Sequence, residues 1–142
     1  MSPSPNSLRR ILPNSFCGAY RYWGRENREA PIKLVTPNRP GDVITNFELK
    51  SFDHTCNYYF AFSAIIMMGI KGIREKIWLP KPFDTNIADE KESDIKKLGI
   101  ELLPMTWEDR KRAIYSDEGK PIREFIGEDL IANILAVNEA DF

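Results

Sequence analysis

Hydrophobic and polar positions follow different periods on either side of residue 57. Before it the pattern is that of strands. Gly18 to Trp23 sets Ala19, Arg21 and Trp23 against Tyr20 and Tyr22, and Pro31 to Val35 is a second β-prone run. Thr36-Pro37-Asn38-Arg39-Pro40-Gly41-Asp42 has turn residues and no period, so it predicts a loop joining two strands of a hairpin. From Val43 to Lys50 the alternation is regular, with Val43, Thr45, Phe47 and Leu49 on one side and Ile44, Asn46, Glu48 and Lys50 on the other. The first side is expected in the core. The second is either a solvated sheet surface or the lining of a charged cleft.

Beyond residue 57 the period is helical. Asn57 suits an N-cap, and Tyr58 to Trp78 is apolar on almost every side until Lys71, Arg74, Glu75 and Lys76. The first half of such a helix is expected to be buried all round, covered on one side by the strands of residues 18 to 50 and elsewhere by other segments or another subunit. Pro80 and Pro82 end it and open a loop from Leu79 to Asn86. Three shorter helices are expected after that. They are Asp89 to Leu98, stopped by Gly99; one capped by Thr106 with Asp109 three residues on; and Glu128 to Ala140, with Ile131, Ile134 and Leu135 on its apolar face. The fold class expected is α+β, with antiparallel strands in the N-terminal third packed on a buried helix and short helices closing the chain.

Composition narrows the function classes. At 142 residues and 42% hydrophobic, the chain can support one core without disulfides. Met1 to Pro5 is rich in serine and proline and reads as a disordered lead-in, leaving 6–142 as the folded domain. Twenty basic residues balance 21 acidic ones, which leaves no surplus charge to hold a nucleic acid. The longest apolar run, Tyr58 to Ile70, is too short to span a membrane, and no secretory signal precedes it. Cys17 and Cys56 lie far apart and read as reduced thiols of a cytoplasmic protein. His54 is the only histidine, so Cys and His cannot build a metal cluster, and it reads as an ordinary polar group. No phosphate-binding glycine loop or nucleophile elbow is present.

Several short segments, in order, resemble the glutamine synthetase family. Asn6-Ser7-Leu8-Arg9-Arg10-Ile11-Leu12-Pro13 is similar to its Asn-Ser-Tyr-Lys-Arg-Leu-Val-Pro segment, and Glu26-Asn27-Arg28 to its Arg-Asn-Arg segment. Phe47-Glu48-Leu49-Lys50-Ser51-Phe52-Asp53 with Cys56-Asn57-Tyr58-Tyr59 resembles its Glu-x-Arg-x-x-Asp and Asn-Pro-Tyr block. Gly69-Ile70-Lys71-Gly72-Ile73 and the Pro80-x-Pro-x-Asp-x-Asn stretch match the helix and loop that follow. The resemblance implies part of a catalytic barrel and an ATP-dependent ligase that joins glutamate to ammonia or another amine through a γ-glutamyl phosphate. Two anions meet in that reaction, so divalent cations and basic side chains must neutralise the transferred phosphoryl group.

Position by position, the resemblance implies that Glu48 is a ligand for Mg2+ or Mn2+. It further implies that Arg10 and Lys50 hold glutamate, that Arg28 and Lys33 contact ATP or the phosphoryl group, and that Asn46 belongs to the cofactor site. Lys33 and Lys50 stand where the family usually has arginine, keeping charge without the bidentate fork. Asn46 stands at a third arginine position, and Phe16 where a flap glutamate serves ammonia. Trp23-Gly24-x-Glu26-Asn27-x-Glu29-Ala30-Pro31 more closely resembles the nodulin-type and fungal developmental branch. The match is to the C-terminal part of the family's catalytic domain, whose other metal ligands lie upstream. The expected partners are therefore the missing N-terminal half or homologous subunits, in a homo-oligomer at full length. The alternative is a non-catalytic remnant that serves as an oligomerisation or interaction module.

Overall fold

A computed structural model describes residues 4–13, 15, 18–37 and 39–140. The expectations for Phe16 and Cys17 lie outside the described residues, as do the first three residues of the proposed lead-in. The elements are α1 (Pro5–Arg10), β1 (Trp23–Arg25), β2 (Ile32–Val35), β3 (Asn46–Leu49), α2 (Tyr58–Arg74), a 3-10 turn (Ile87–Asp89), α3 (Glu92–Lys97), α4 (Trp107–Tyr115), α5 (Lys120–Ile126) and α6 (Glu128–Glu139). They fall into two compact units. One is Leu8–Phe52 with Lys81–Leu103; the other is built mainly from Asp53–Pro80 and the chain after Leu103.

The first unit holds a mixed three-stranded sheet in the order β1-β2-β3. The class is α+β as expected, and β2 and β3 form the antiparallel pair that the loop residues predict. β1 runs parallel to β2, pairing Trp23 with Ile32 and Arg25 with Leu34. The parallel pairing follows from the loop at residues 26–31, which carries the chain back to the start of the sheet instead of turning it tightly. β3 is shorter than the alternation suggests, and neither of its faces is sealed: Phe47, expected in the core, is 55% exposed.

The core of this unit lies beside the sheet. Tyr22, Ala30, Ile87 and Ile95 are buried together, with Tyr20, Phe83 and Ile100 packed against them. Tyr22 and Phe83 meet edge to face, with ring centroids 5.6 Å apart. The segment around Phe83 runs along β1, its amide donating to the Trp23 carbonyl. Gly24 makes that approach possible, because a Cβ there would stand 2.3 Å from the Phe83 carbonyl oxygen. Tyr20 and Leu102 form an antiparallel bridge, backed by an Arg21–Glu101 ion pair of 2.7 Å.

In the second unit α2 starts at its predicted cap, where the Asn57 carboxamide oxygen accepts from the amides of Tyr59 and Phe60. It stops at Arg74, six residues before Pro80. The Lys76 amide donates to Ile73 and that of Ile77 to Gly72, a Schellman closure with Lys76 in the left-handed region at φ 52°. Burial of its first half is not observed. Within its unit α5 packs on α2, and only Ala61 is buried, while Tyr59 is 85% and Ile73 80% exposed. Within its unit α4, α5 and α6 are too little material to surround so apolar a cylinder.

Thr106 caps α4 as expected, its hydroxyl accepting from the Asp109 amide at 3.1 Å. α3 is followed by Gly99 at φ 69° and α6 matches its predicted span. α1 and α5 are helices the apolar period does not announce. α1 is short, but Ser4 caps it by accepting from the Ser7 amide, and Pro5 stands at its first position. No helix among the described residues is long and apolar enough to cross a membrane.

Candidate functional site

The antiparallel register places Lys33 of β2 directly opposite Glu48 of β3. The Lys33 ammonium lies 3.6 Å from Glu48 Oε1 and 3.5 Å from Glu26 Oε2, so one cation serves two carboxylates. The lysine side chain is only 16% exposed, while both carboxylates are half exposed. Glu26 is firmly held. Its Oε1 accepts from the Thr36 amide at 2.5 Å and the Thr36 hydroxyl at 2.9 Å. The amide bond first, then the hydroxyl bond and the nearby Lys33 charge, hold the Glu26 carboxyl below its ordinary range. Glu26 occupies the left-handed region at φ 50°, unusual for a residue with a long side chain.

Lys50 and Arg10 each bind a backbone carbonyl, that of Arg28 and that of Phe52 respectively. The Lys50 ammonium donates to the Arg28 carbonyl, and the Lys50 amide, one residue past β3, donates to the Pro31 carbonyl at 2.8 Å. Arg10 at the end of α1 donates from Nη2 to the Phe52 carbonyl at 2.7 Å. Of the sequence-predicted residues the structure thus joins Lys33 to Glu48 across the strands and Lys50 to the Arg28 backbone, while Arg10 binds the chain just past β3 at Phe52. Asn46 joins none of these contacts. It begins β3 opposite Val35 and accepts from the Thr45 hydroxyl.

Asn27 holds the loop that carries Glu26 and Arg28. Its side-chain nitrogen donates to the carbonyls of Phe83 and Thr85 at 2.9 and 2.8 Å, and its oxygen accepts from the amides of Glu29 and Ala30 at 2.9 and 3.2 Å. Arg25 extends the same junction, with its amide on Asp84 Oδ1 at 2.7 Å. Beneath the loop, burial first and the Glu29 carboxylate second push the Tyr22 phenol well above its ordinary range. Glu26 and Asn27 were absent from the sequence-predicted site. The signal available for Glu26 was its place at a position where the resemblance expects arginine, a reversal of charge.

Glu48 supplies the hard oxygen that Mg2+ or Mn2+ prefers. It supplies it alone, for no group of three or more Asp, Glu, His or Cys that could hold a metal occurs among the described residues. One carboxylate can fill at most one position of a metal centre, so the described residues do not by themselves make one. A shallow groove of about 300 Å3 in the helical unit, lined by Pro104, Arg110, Ile114 and Ile122 among others, contains none of the sequence-predicted residues.

The family model for the glutamine synthetase catalytic domain matches residues 1–142, the whole chain. The chain belongs to the glutamine synthetase family. A glutamine synthetase of Methanocaldococcus jannaschii is 29% identical over 141 residues, which cover 99% of this chain and 30% of that protein. One from Pyrococcus abyssi is 34% identical over 130 residues, 89% of this chain and 28% of the relative. A γ-glutamylpolyamine synthetase, GlnA3 of Streptomyces coelicolor, is 31% identical over 137 residues, 96% and 29% respectively. The chain therefore spans about 30% of the length of the curated relatives it matches.

Proposed function

We propose that this chain is the C-terminal segment of a glutamine synthetase-like ligase, which activates glutamate with ATP as γ-glutamyl phosphate and transfers the glutamyl group to ammonia or another amine. The observation that carries this reading is the pairing of Lys33 with Glu48 across β2 and β3 in a chain that matches the catalytic domain along its whole length. In the assembled enzyme Glu48 contributes a carboxylate to Mg2+ or Mn2+. Arg10 and Lys50 hold glutamate carboxylates, Arg28 and Lys33 face the phosphoryl donor, and Asn46 lies at the edge of the nucleotide site. Those charges make in-line attack by one anion on another feasible. A relative named for polyamines is consistent with an acceptor wider than ammonia.

The apolar exposure of the helical unit supports partners. Tyr59, Phe62, Ile66 and Ile73 on α2, and Trp78 beyond it, are all more than half exposed. In this reading the remainder of the catalytic domain or homologous subunits cover them. The same exposure favours the second reading, a non-catalytic module that associates with a relative.

Release of phosphate that depends on ATP, glutamate and amine decides between the two. The 142-residue chain alone is expected to be inactive, and the chain joined to the N-terminal part of a glutamine synthetase relative to be active and to lose turnover on Glu48→Ala. Turnover by the short chain overturns the reading that it is an incomplete segment, and unchanged turnover by the Glu48→Ala fusion overturns the metal-ligand assignment of Glu48. An inactive fusion that still assembles supports the module.

A further inference from the structure

The two edges of the sheet differ. At β1 the Phe83 amide and the Asp84 carboxylate take up the backbone of Trp23 and Arg25, whereas β3 is the last strand and carries no such strap. In an antiparallel pair, residues whose backbone bonds across to the partner alternate with residues whose backbone faces away. The Lys50 amide donates to the Pro31 carbonyl, so Glu48 and Asn46 also bond towards β2, and the amides and carbonyls of Thr45, Phe47 and Leu49 face outward. The Leu34 carbonyl, opposite Phe47, accordingly turns to the β1 side, where it accepts from the Glu26 amide. Of the outward groups only the Leu49 carbonyl has a partner among the described residues, the Phe52 amide at 3.4 Å. Residues 43–48 are exposed, and neither proline nor glycine interrupts Val43 to Leu49, so the edge is left able to pair.

We propose that this edge takes a second copy of the chain, with β3 antiparallel to β3 about a two-fold axis at Phe47, joining two three-stranded sheets into one. The side chains point to this occupant and to its register. The axis sets the two Phe47 residues opposite each other, bonded through their own amides and carbonyls, with Leu49 opposite Thr45 of the other copy. It also sets Glu48 opposite Asn46 of the other copy, in the pair type whose side chains stand closest. The Asn46 carboxamide oxygen accepts from the Thr45 hydroxyl, which leaves the carboxamide nitrogen to donate to that carboxylate. Glu48 faces Lys33 through Oε1, and Oε2 can accept. Symmetry makes this pair twice. A slip of two residues one way sets Glu48 against Glu48, and the other way sets it against Ile44, so both neighbouring registers lose the pair. On the opposite face Ile32, Leu34, Phe47 and Leu49 lie together, with Ile32 and Phe47 substantially exposed, and the axis makes the two apolar faces contiguous around an aromatic pair. The inference is independent of any ligase activity.

Sedimentation of the full chain over a range of concentrations tests this, and a reversible equilibrium of monomer and dimer is expected. Phe47→Pro removes an outward amide and spares the bonds to β2, because Leu34 and Phe47 form a pair that exchanges none. It is expected to stay monomeric where the wild type is half dimeric. Asn46→Asp turns both Glu48 pairs into like charges and is expected to weaken the dimer about tenfold, and Glu48→Gln in that background to recover most of the loss. The register is read by oxidation, with the native cysteines replaced by serine. Phe47→Cys is expected to cross-link the dimer and Glu48→Cys is not, since only the first brings two Cα atoms within disulfide range; this arm holds whether or not Phe47→Pro folds. A monomer up to millimolar concentration overturns the proposal. So does a dimer as tight in Phe47→Pro as in the wild type, which would place the contact elsewhere, as on the apolar face of α2, and so does cross-linking through Glu48→Cys in place of Phe47→Cys. A chain that stays monomeric but binds the N-terminal part of a glutamine synthetase relative, and loses that binding in Phe47→Pro, gives the edge to the missing part of the domain and overturns the second copy as its occupant.

Discussion

Asn27 is the residue whose replacement the structure makes most consequential for its size. Its carboxamide makes four hydrogen bonds, two donated to the strap at Phe83 and Thr85 and two accepted from Glu29 and Ala30. The side chain is 6% exposed, so water cannot take its place at all four groups. Asn27→Ala removes the bonds and strands two amides and two carbonyls. At about 1 kcal/mol net for each, the loss comes to about 2–4 kcal/mol, a large share of the stability of a small domain. Asn27→Asp separates shape from chemistry. It keeps the acceptor for Glu29 and Ala30 but turns an anionic oxygen on two carbonyl oxygens, so it should be at least as harmful as alanine. Urea denaturation measures the loss as a shift in midpoint at constant slope. Amide exchange locates it at Glu29, Ala30 and the core around Tyr22 and Ile87. A loss under about 1 kcal/mol, or an aspartate variant as stable as wild type, would refute the clamp.

Gly24→Ala is expected to destabilise the sheet unit by about 2 kcal/mol or more, because the new Cβ meets backbone that cannot swing aside; near-neutral thermal unfolding would contradict this. In the helical unit Lys111 of α4 binds Glu139 of α6 at 2.8 Å. The Lys111 hydrogen bond first, and a bond from the Trp107 indole second, hold the Glu139 carboxyl below its ordinary range. A lowered folded-state value means that the pair stabilises the fold above the ordinary glutamate pKa, and that this is lost as pH falls through the folded value. Glu139→Gln should therefore flatten the acid limb of a stability profile, and an unchanged profile would exclude the linkage.

The apolar and turn chemistry of single segments was legible without a structure. Asn57 and Thr106 are read as caps because a short polar side chain before an apolar helix has one favourable use, to accept the orphan amides of the first turn. Gly99 after α3 is legible for the reason that a left-handed residue there is cheapest as glycine. The regular alternation around Glu48 identified a strand with a charged side. α5 was not legible, because Lys120 to Ile126 is too short for its period to stand out.

What the sequence by itself determined is family, class and the local elements, since caps, turns and period act over a few residues, and short segments in order suffice to place a chain in a family. Tertiary structure alone decided who stands opposite whom. The parallel β1, the strap that Asn27 binds and the sharing of Lys33 between Glu26 and Glu48 each join residues many positions apart. No local rule specifies such meetings, because register and loop path depend on the packing of the whole unit. The same distinction holds for α2, whose sequence asks for complete burial: whether it is granted depends on what other chain lies against it, and the described residues leave most of that surface open.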